Sequence, residues 1–237
     1  TTERNVLATA QFMKDSGLAA AGFNFLVVDD GWSAGSRTSS GELEANATKF
    51  PSGMAAVAAR LRALGLRLGL YTTPGEYSCA GQSGGGERAS KGHEAQDVAT
   101  WIGKWGVQWV KNCVCNATLE DRRHSYADMR AAIDALPGSD RGNTTILECA
   151  NYMDAPWSAR GVSPQGDVPQ AAACDVYTVS DDVPDDFDEW NAGVDLAELQ
   201  RARYVDAPGA HWPSFDYVRA GGAQTTAEYA AQIGFTA

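Results

Sequence analysis

Apolar and polar positions recur along this chain in two periods, and the two periods take turns. Residues 3–20, ERNVLATAQFMKDSGLAA, repeat apolar side chains at about 3.6-residue spacing and predict a helix. Residues 23–30, FNFLVVDD, are a β-rich run ending in two acids and predict a strand. A helix follows over 54–65, stopped by Gly65, and then a strand over 66–73. After a Gly/Ser-rich loop at 80–92, the pattern predicts a helix over 94–106, a strand over 107–112 and a helix over 124–136. Extended runs at 144–150, 174–180 and 202–208 alternate with helical spacing at 187–202 and 225–235. Six strands alternating with helices over short links predict an α/β fold of barrel type, with a parallel sheet under covering helices. No low-complexity linker interrupts the pattern, so residues 1–237 read as one domain.

Composition narrows the class. Hydrophobic residues make up 44% of the chain, enough for a sizeable core. The formal charge of −11 excludes nucleic acid and anionic membrane surfaces as natural partners, because both reward basic surfaces. Neutral ligands such as sugars remain compatible. No apolar run approaches the ~20 residues of a membrane span. Thr1 opens directly into a helical pattern, so a signal peptide has either been removed or lies before this sequence. Three N-x-[ST] sequons begin at Asn46, Asn116 and Asn143, and there are five cysteines. Sequons with an odd cysteine count point to a secretory route, extracellular or vacuolar/lysosomal, with two disulfides and one cysteine left over. Five buried thiols in a cytosolic protein is the competing reading.

Chemistry-bearing residues gather at the ends of the predicted strands. They are Asp29, Asp30 and Trp32; Tyr71; Lys111 and Cys113; Glu148; Asp181 and Asp182; and His211, Trp212 and Asp216. Barrel enzymes place their chemistry at C-terminal strand ends. Acids with Trp and Tyr in one mouth suit a carbohydrate, whose ring stacks on aromatic faces while carboxylates accept its hydroxyl protons. Asp185 and Asp186 read instead as helix caps or solvated surface. The loop GQSGGGERASKG lacks the G-K-[ST] ending of a phosphate loop, and no cofactor is implied.

These residues carry a resemblance. FNFLVVDDGW, KFPSGMAAVAARLRALGLRLGLY, SCAG, EAQDVATWIGKWGVQWVK, SDDVPDDF, APGAHW and TTAEYAAQ are similar, in order and spacing over the whole chain, to the α-galactosidase/α-N-acetylgalactosaminidase (melibiase) family. The resemblance implies a (β/α)8 barrel and retaining hydrolysis of terminal α-galactosides. It implies that Cys79 bonds Cys115 and Cys149 bonds Cys174, which leaves Cys113 as the odd thiol. The bonded Cys-x-Cys and three scattered histidines then leave no metal site. Asp182 matches the acid/base, and Asp29, Asp30, Trp32, Tyr71, Lys111 and Asp216 match substrate-binding positions.

The departures are as informative. The family's L-K-Y-D-x-C-x-N motif ends its strand on the nucleophilic Asp, and here Cys113 stands in that place. The family's Glu after the fifth-strand cysteine is Ala150, its Arg before the acid/base is Thr178, and its N-D-P-D segment reads Pro213-Ser214-Phe215-Asp216. A retaining glycosidase needs two carboxyl groups about 5–5.5 Å apart, and one of the pair is missing. A thiol near several acids is held towards its neutral form, although Lys111 pulls the other way. The expectation is an α-galactosidase-like domain with hydrolysis lost or strongly impaired, retained for binding a galactose-type glycan or as part of a larger assembly. The alternatives are an active retaining α-galactosidase and a barrel enzyme of different specificity. Against the family pattern, the six strands are the second to seventh, with the first and eighth missing. The gap is expected to be filled by another chain or a further segment of the same protein.

Overall fold

In a computed structural model of the chain, the residues described are 1–80, 86–137, 145–150, 173–178 and 212–214. The chain forms two compact units, residues 1–148 and 149–237. In the first, parallel strands β1 (Phe25–Val28), β4 (Arg67–Thr72) and β5 (Trp109–Asn112) lie side by side. The register pairs Val28 with Leu70 and Tyr71 with Lys111. Strand β6 (Ile146–Ala150) starts beyond β5, where the Ile146 N–H donates to the Gln108 carbonyl at 3.0 Å.

A strand turns successive side chains to opposite faces. Val28, Leu68, Leu70 and Val110 share one face and are buried, under α1 (Glu3–Asp15) and α2 (Met54–Ala63) among others. The other face carries Asp29, Tyr71 and Lys111 at one end. Gly69 also lies on that face, and a Cβ there would come within 2.8 Å of Val27 and 2.9 Å of Trp109. Glycine is what lets β1 and β5 close over β4 at that point. Five of the six β4 residues are buried, as a parallel strand covered on both faces requires.

Helix boundaries depart from the expected ones for local reasons. Helix α1 stops at Asp15 rather than residue 20, because Gly17 turns to φ +83° and the Ser16 hydroxyl donates to the Phe12 carbonyl at 2.7 Å. The helix expected from 94 is α3 (Glu94–Val98), which widens into a π-helical segment over Ala99–Trp105. Helix α4 (Leu119–Asp134) begins five residues before the expected start at 124, behind a capping box. Thr118 Oγ1 accepts from the Asp121 N–H and the Asp121 carboxylate accepts from the Thr118 N–H.

An antiparallel hairpin, β2 (Ser33–Arg37) and β3 (Leu43–Ala45), was not expected at all. Its anchor is polar: Arg37 makes two 2.7 Å bonds to the carboxylate of Asp97, which is 1% exposed. Apolar periodicity is blind to such an element.

In the second unit, β7 (Val176–Thr178) pairs in parallel with β8 (Trp212–Ser214), and Cys149 is bonded to Cys174. Strand β8 falls beyond the extended run expected at 202–208. That run, and the helices expected at 187–202 and 225–235, lie outside the described residues.

Candidate active site

The loop after β1 is built by its own acids. Asp29 Oδ1 accepts from the Asp30 N–H at 2.7 Å, and Asp30 Oδ1 accepts from the Gly31 N–H at 2.8 Å. Each acid keeps a second oxygen for longer-range work. Asp29 Oδ2 is 3.0 Å from the Lys111 ammonium. Asp30 Oδ2 accepts from the Ala80 N–H at 2.7 Å. Lys111 is 5% exposed, and a buried ammonium needs such a partner.

Tyr71 stands beside Lys111 in register, and its hydroxyl is 2.7 Å from Cys79 Sγ. A disulfide sulfur carries no hydrogen, so the hydroxyl donates. Burial pushes the Tyr71 phenol far above its ordinary value. The charge and hydrogen bonding of Cys113, then Asp30 and Asp29, push the same way. Tyr71 therefore stays protonated, as a donor.

Cys113 follows β5 directly. Its N–H donates to the Thr72 carbonyl at 2.8 Å and its carbonyl accepts from the Tyr126 hydroxyl at 3.2 Å. Two residues after Lys111, it belongs to the same face. The disulfides are Cys79–Cys115 and Cys149–Cys174, and Cys113 keeps its thiol, buried. Beneath the bridge, Gly75 closes against residue 116, where a Cβ would come within 2.6 Å of the Asn116 carbonyl oxygen.

The site so far has two acids, an ammonium, a phenol and a thiol at one end of three parallel strands. That arrangement can hold a polyhydroxylated ligand through hydrogen bonds. Across residues 1–231 the chain matches the family described as alpha galactosidase A, a melibiase family. The chain belongs to that family. The alpha-galactosidase A of Cellvibrio japonicus is 40% identical over 131 residues, covering 55% of this chain and 31% of the relative. A probable alpha-galactosidase of Dictyostelium discoideum is 38% identical over 133 residues, covering 56% of this chain and 33% of the relative. Among solved structures, alpha-galactosidase I from Mortierella vinacea superposes with a TM-score of 0.63 at 29% identity, over 79% of this chain and 43% of the other. The alpha-galactosidase MEL1 of Saccharomyces cerevisiae superposes with a TM-score of 0.67 at 25% identity, over 95% of this chain and 51% of the other. It has also been solved with raffinose. The fold is the family's TIM barrel, and this chain spans about a third of the curated relatives and about half of the solved ones. It is an alpha-galactosidase-like domain.

Within this family domain, the structure brings Asp29, Asp30, Tyr71, Cys79, Lys111, Cys113 and Cys115 to one strand-end region. Asp181, Asp182, His211, Asp216 and Asn143 lie outside the described residues. Ala150 and Thr178 are buried at the ends of β6 and β7. Glu148 is not at the mouth: its carboxylate accepts from the Trp109 indole N–H at 2.8 Å, and Trp109 is the first residue of β5.

One expectation is corrected. Trp32 was expected to offer its face to a sugar, but it is 2% exposed and stands edge-on to Trp101 and Trp105, at ring-centre distances of 5.5 and 6.2 Å. Its N–H donates to the Tyr71 carbonyl at 2.8 Å, so it props the strand end from below. Asn116 is exposed, and its amide nitrogen donates to the carbonyls of Tyr77 at 3.1 Å and Ser78 at 3.0 Å. Sequence reasoning missed the Tyr71–Cys79 contact, the Asp30–Ala80 contact and the three-tryptophan stack. None of them leaves a pattern in the chain.

Proposed function

We propose that this domain binds a terminal α-galactosyl group while its hydrolytic activity is lost or strongly impaired. The observation that carries the proposal is Cys113, a buried thiol directly after β5 and two residues beyond Lys111, which the motif resemblance assigns to the place of the family nucleophile. Retaining hydrolysis needs a carboxylate there, both to form the glycosyl intermediate and to stabilise positive charge at the sugar carbon. Asp182 is assigned as the surviving acid/base and Asp216 as a further hydroxyl acceptor. Asp29, Asp30, Lys111 and Tyr71 hold hydroxyls. Ala150 and Thr178, where the family has an acid and an arginine, leave some ligand hydroxyls without partners and weaken binding to near-millimolar, about −4 kcal/mol.

Residues 1–237 act as one glycosidase-like domain, part of the family barrel. The protein takes the secretory route, which two disulfides and the Asn46 and Asn143 sequons support. A domain that binds without cleaving serves as a glycan-recognition part of a larger assembly. The test is a calorimetric titration with galactose and methyl α-galactoside, run beside a chromogenic α-galactoside assay. Heat of binding without colour release is expected. Rapid colour release that disappears in Cys113→Ala overturns the proposal, as does the absence of any binding.

A further inference from the structure

The sulfurs of Cys79, Cys113 and Cys115 all lie within 4.8 Å of one another. Two of them form a bridge and the third is a thiol. Nothing in sugar binding requires a thiol beside a disulfide. Tyr71 adds a hydroxyl donor at 2.7 Å from Cys79 Sγ, on the same cluster.

We propose that Cys113 is a thiol–disulfide exchange site that takes over the Cys115 end of the Cys79–Cys115 bridge. Cys113 first gives its proton to solvent. Its thiolate then attacks Cys115 Sγ, a Cys113–Cys115 bond forms, and the Cys79–Cys115 bond breaks. The electron pair leaves with Cys79 sulfur, which keeps the hydrogen bond from the Tyr71 hydroxyl and takes its proton from solvent. One thiol and one disulfide exist before and after, so no oxidant or reductant is consumed.

Three features favour this direction. Tyr71 already donates to Cys79, and a hydrogen bond on the departing sulfur makes it the better leaving group. Cys113 is still tied to β4 through its N–H, but residues 114–116 lie outside regular structure. The surrounding loops also do not depend on the bridge alone, since Asn116 clamps the Tyr77 and Ser78 carbonyls. Among the described residues, the charged and titratable groups around the cluster are Asp29 and Asp30 after β1, Tyr71 on β4 and Lys111 on β5.

The exchange reaches the sugar-binding acids. Cys79 precedes Ala80, whose N–H holds Asp30 Oδ2 at 2.7 Å. Releasing Cys79 from its covalent tie loosens that anchor, so the two bridge isomers present Asp30 differently. The inference does not rest on the proposed function, because it needs only the sulfur geometry.

The experiment is disulfide mapping of the whole chain, purified without reductant. Native protein is incubated near the ionisation range of an ordinary thiol, about pH 8.5. It is then quenched in acidic guanidine with N-ethylmaleimide, digested with pepsin and analysed by mass spectrometry. The label is expected on Cys113 before incubation and increasingly on Cys79 afterwards, together with a Cys113–Cys115 peptide. Cys149–Cys174 is the internal reference and stays intact. Tyr71→Phe should slow the shift about tenfold, the worth of one good hydrogen bond on the leaving sulfur. A label that stays on Cys113 overturns the proposal. So does a label that moves to Cys115, which would make Cys115 the leaving group. Scrambling that includes Cys149 or Cys174 also overturns it, because it means that the chain unfolds first.

Discussion

Lys111 shows what a single side chain is asked to do in this site. The residue is 5% exposed, and its ammonium pairs with Asp29, which lies across β4 from it. Removing one member of a buried pair takes away part of what offsets the other's desolvation. Asp29→Asn is therefore expected to destabilise the first unit by about 1–3 kcal/mol, read as a lower urea midpoint with unchanged slope. Asn116 makes the opposite point about reading residues from motifs. Its sequon is formally complete, yet its amide is committed to the Tyr77 and Ser78 carbonyls. Glycopeptide analysis of secreted material should find Asn116 bare. A glycan there would mean that those two bonds do not form.

At the scale of elements, the capping box of α4 sets a pH dependence. Bonds from Thr118 and the nearby Lys91 hold the Asp121 carboxyl down at about 2, below its ordinary 3.8. A lowered acid stabilises the fold above the ordinary value and loses that contribution as pH falls through the lowered one. The contribution of Asp121 should therefore fade between about pH 4 and pH 2. Asp121→Asn should show a flatter acid limb in thermal melts over that window, and Thr118→Ala should cost about 1 kcal/mol at neutral pH. The same helix shows where legibility failed. Its box is closed by Asp rather than Glu or Gln, so the start was read at 124. The parallel strands were legible because β4 and β5 are apolar runs with short links. The β2–β3 hairpin was not, because the Arg37–Asp97 pair that anchors it spans 60 residues of sequence.

At the scale of the whole molecule, the order of the parallel strands and their helices as far as β6 was readable because a parallel sheet buries both faces and so marks its strands as apolar runs. Both disulfide pairings were readable too, but only through the family resemblance. The burial of Trp32 was not, since a tryptophan beside two acids looks the same in sequence whether it faces the ligand or the core. Gly69 ties the sheet to its register. Gly69→Ala should cost about 1–3 kcal/mol, measured by denaturant unfolding, because the new methyl meets Val27 and Trp109 at under 3 Å.

The most direct measurement is the turnover of a chromogenic α-galactoside by four forms of the protein: wild type, Cys113→Ala, Cys113→Asp, and Cys113→Asp combined with Ala150→Glu and Thr178→Arg. Groups that act as a unit in catalysis do not contribute additively. Wild type, Cys113→Ala and Cys113→Asp should be indistinguishable from background, with partial activity appearing only in the triple variant. Robust turnover by the wild type that is abolished in Cys113→Ala would contradict the account, because the thiol would then be a working nucleophile.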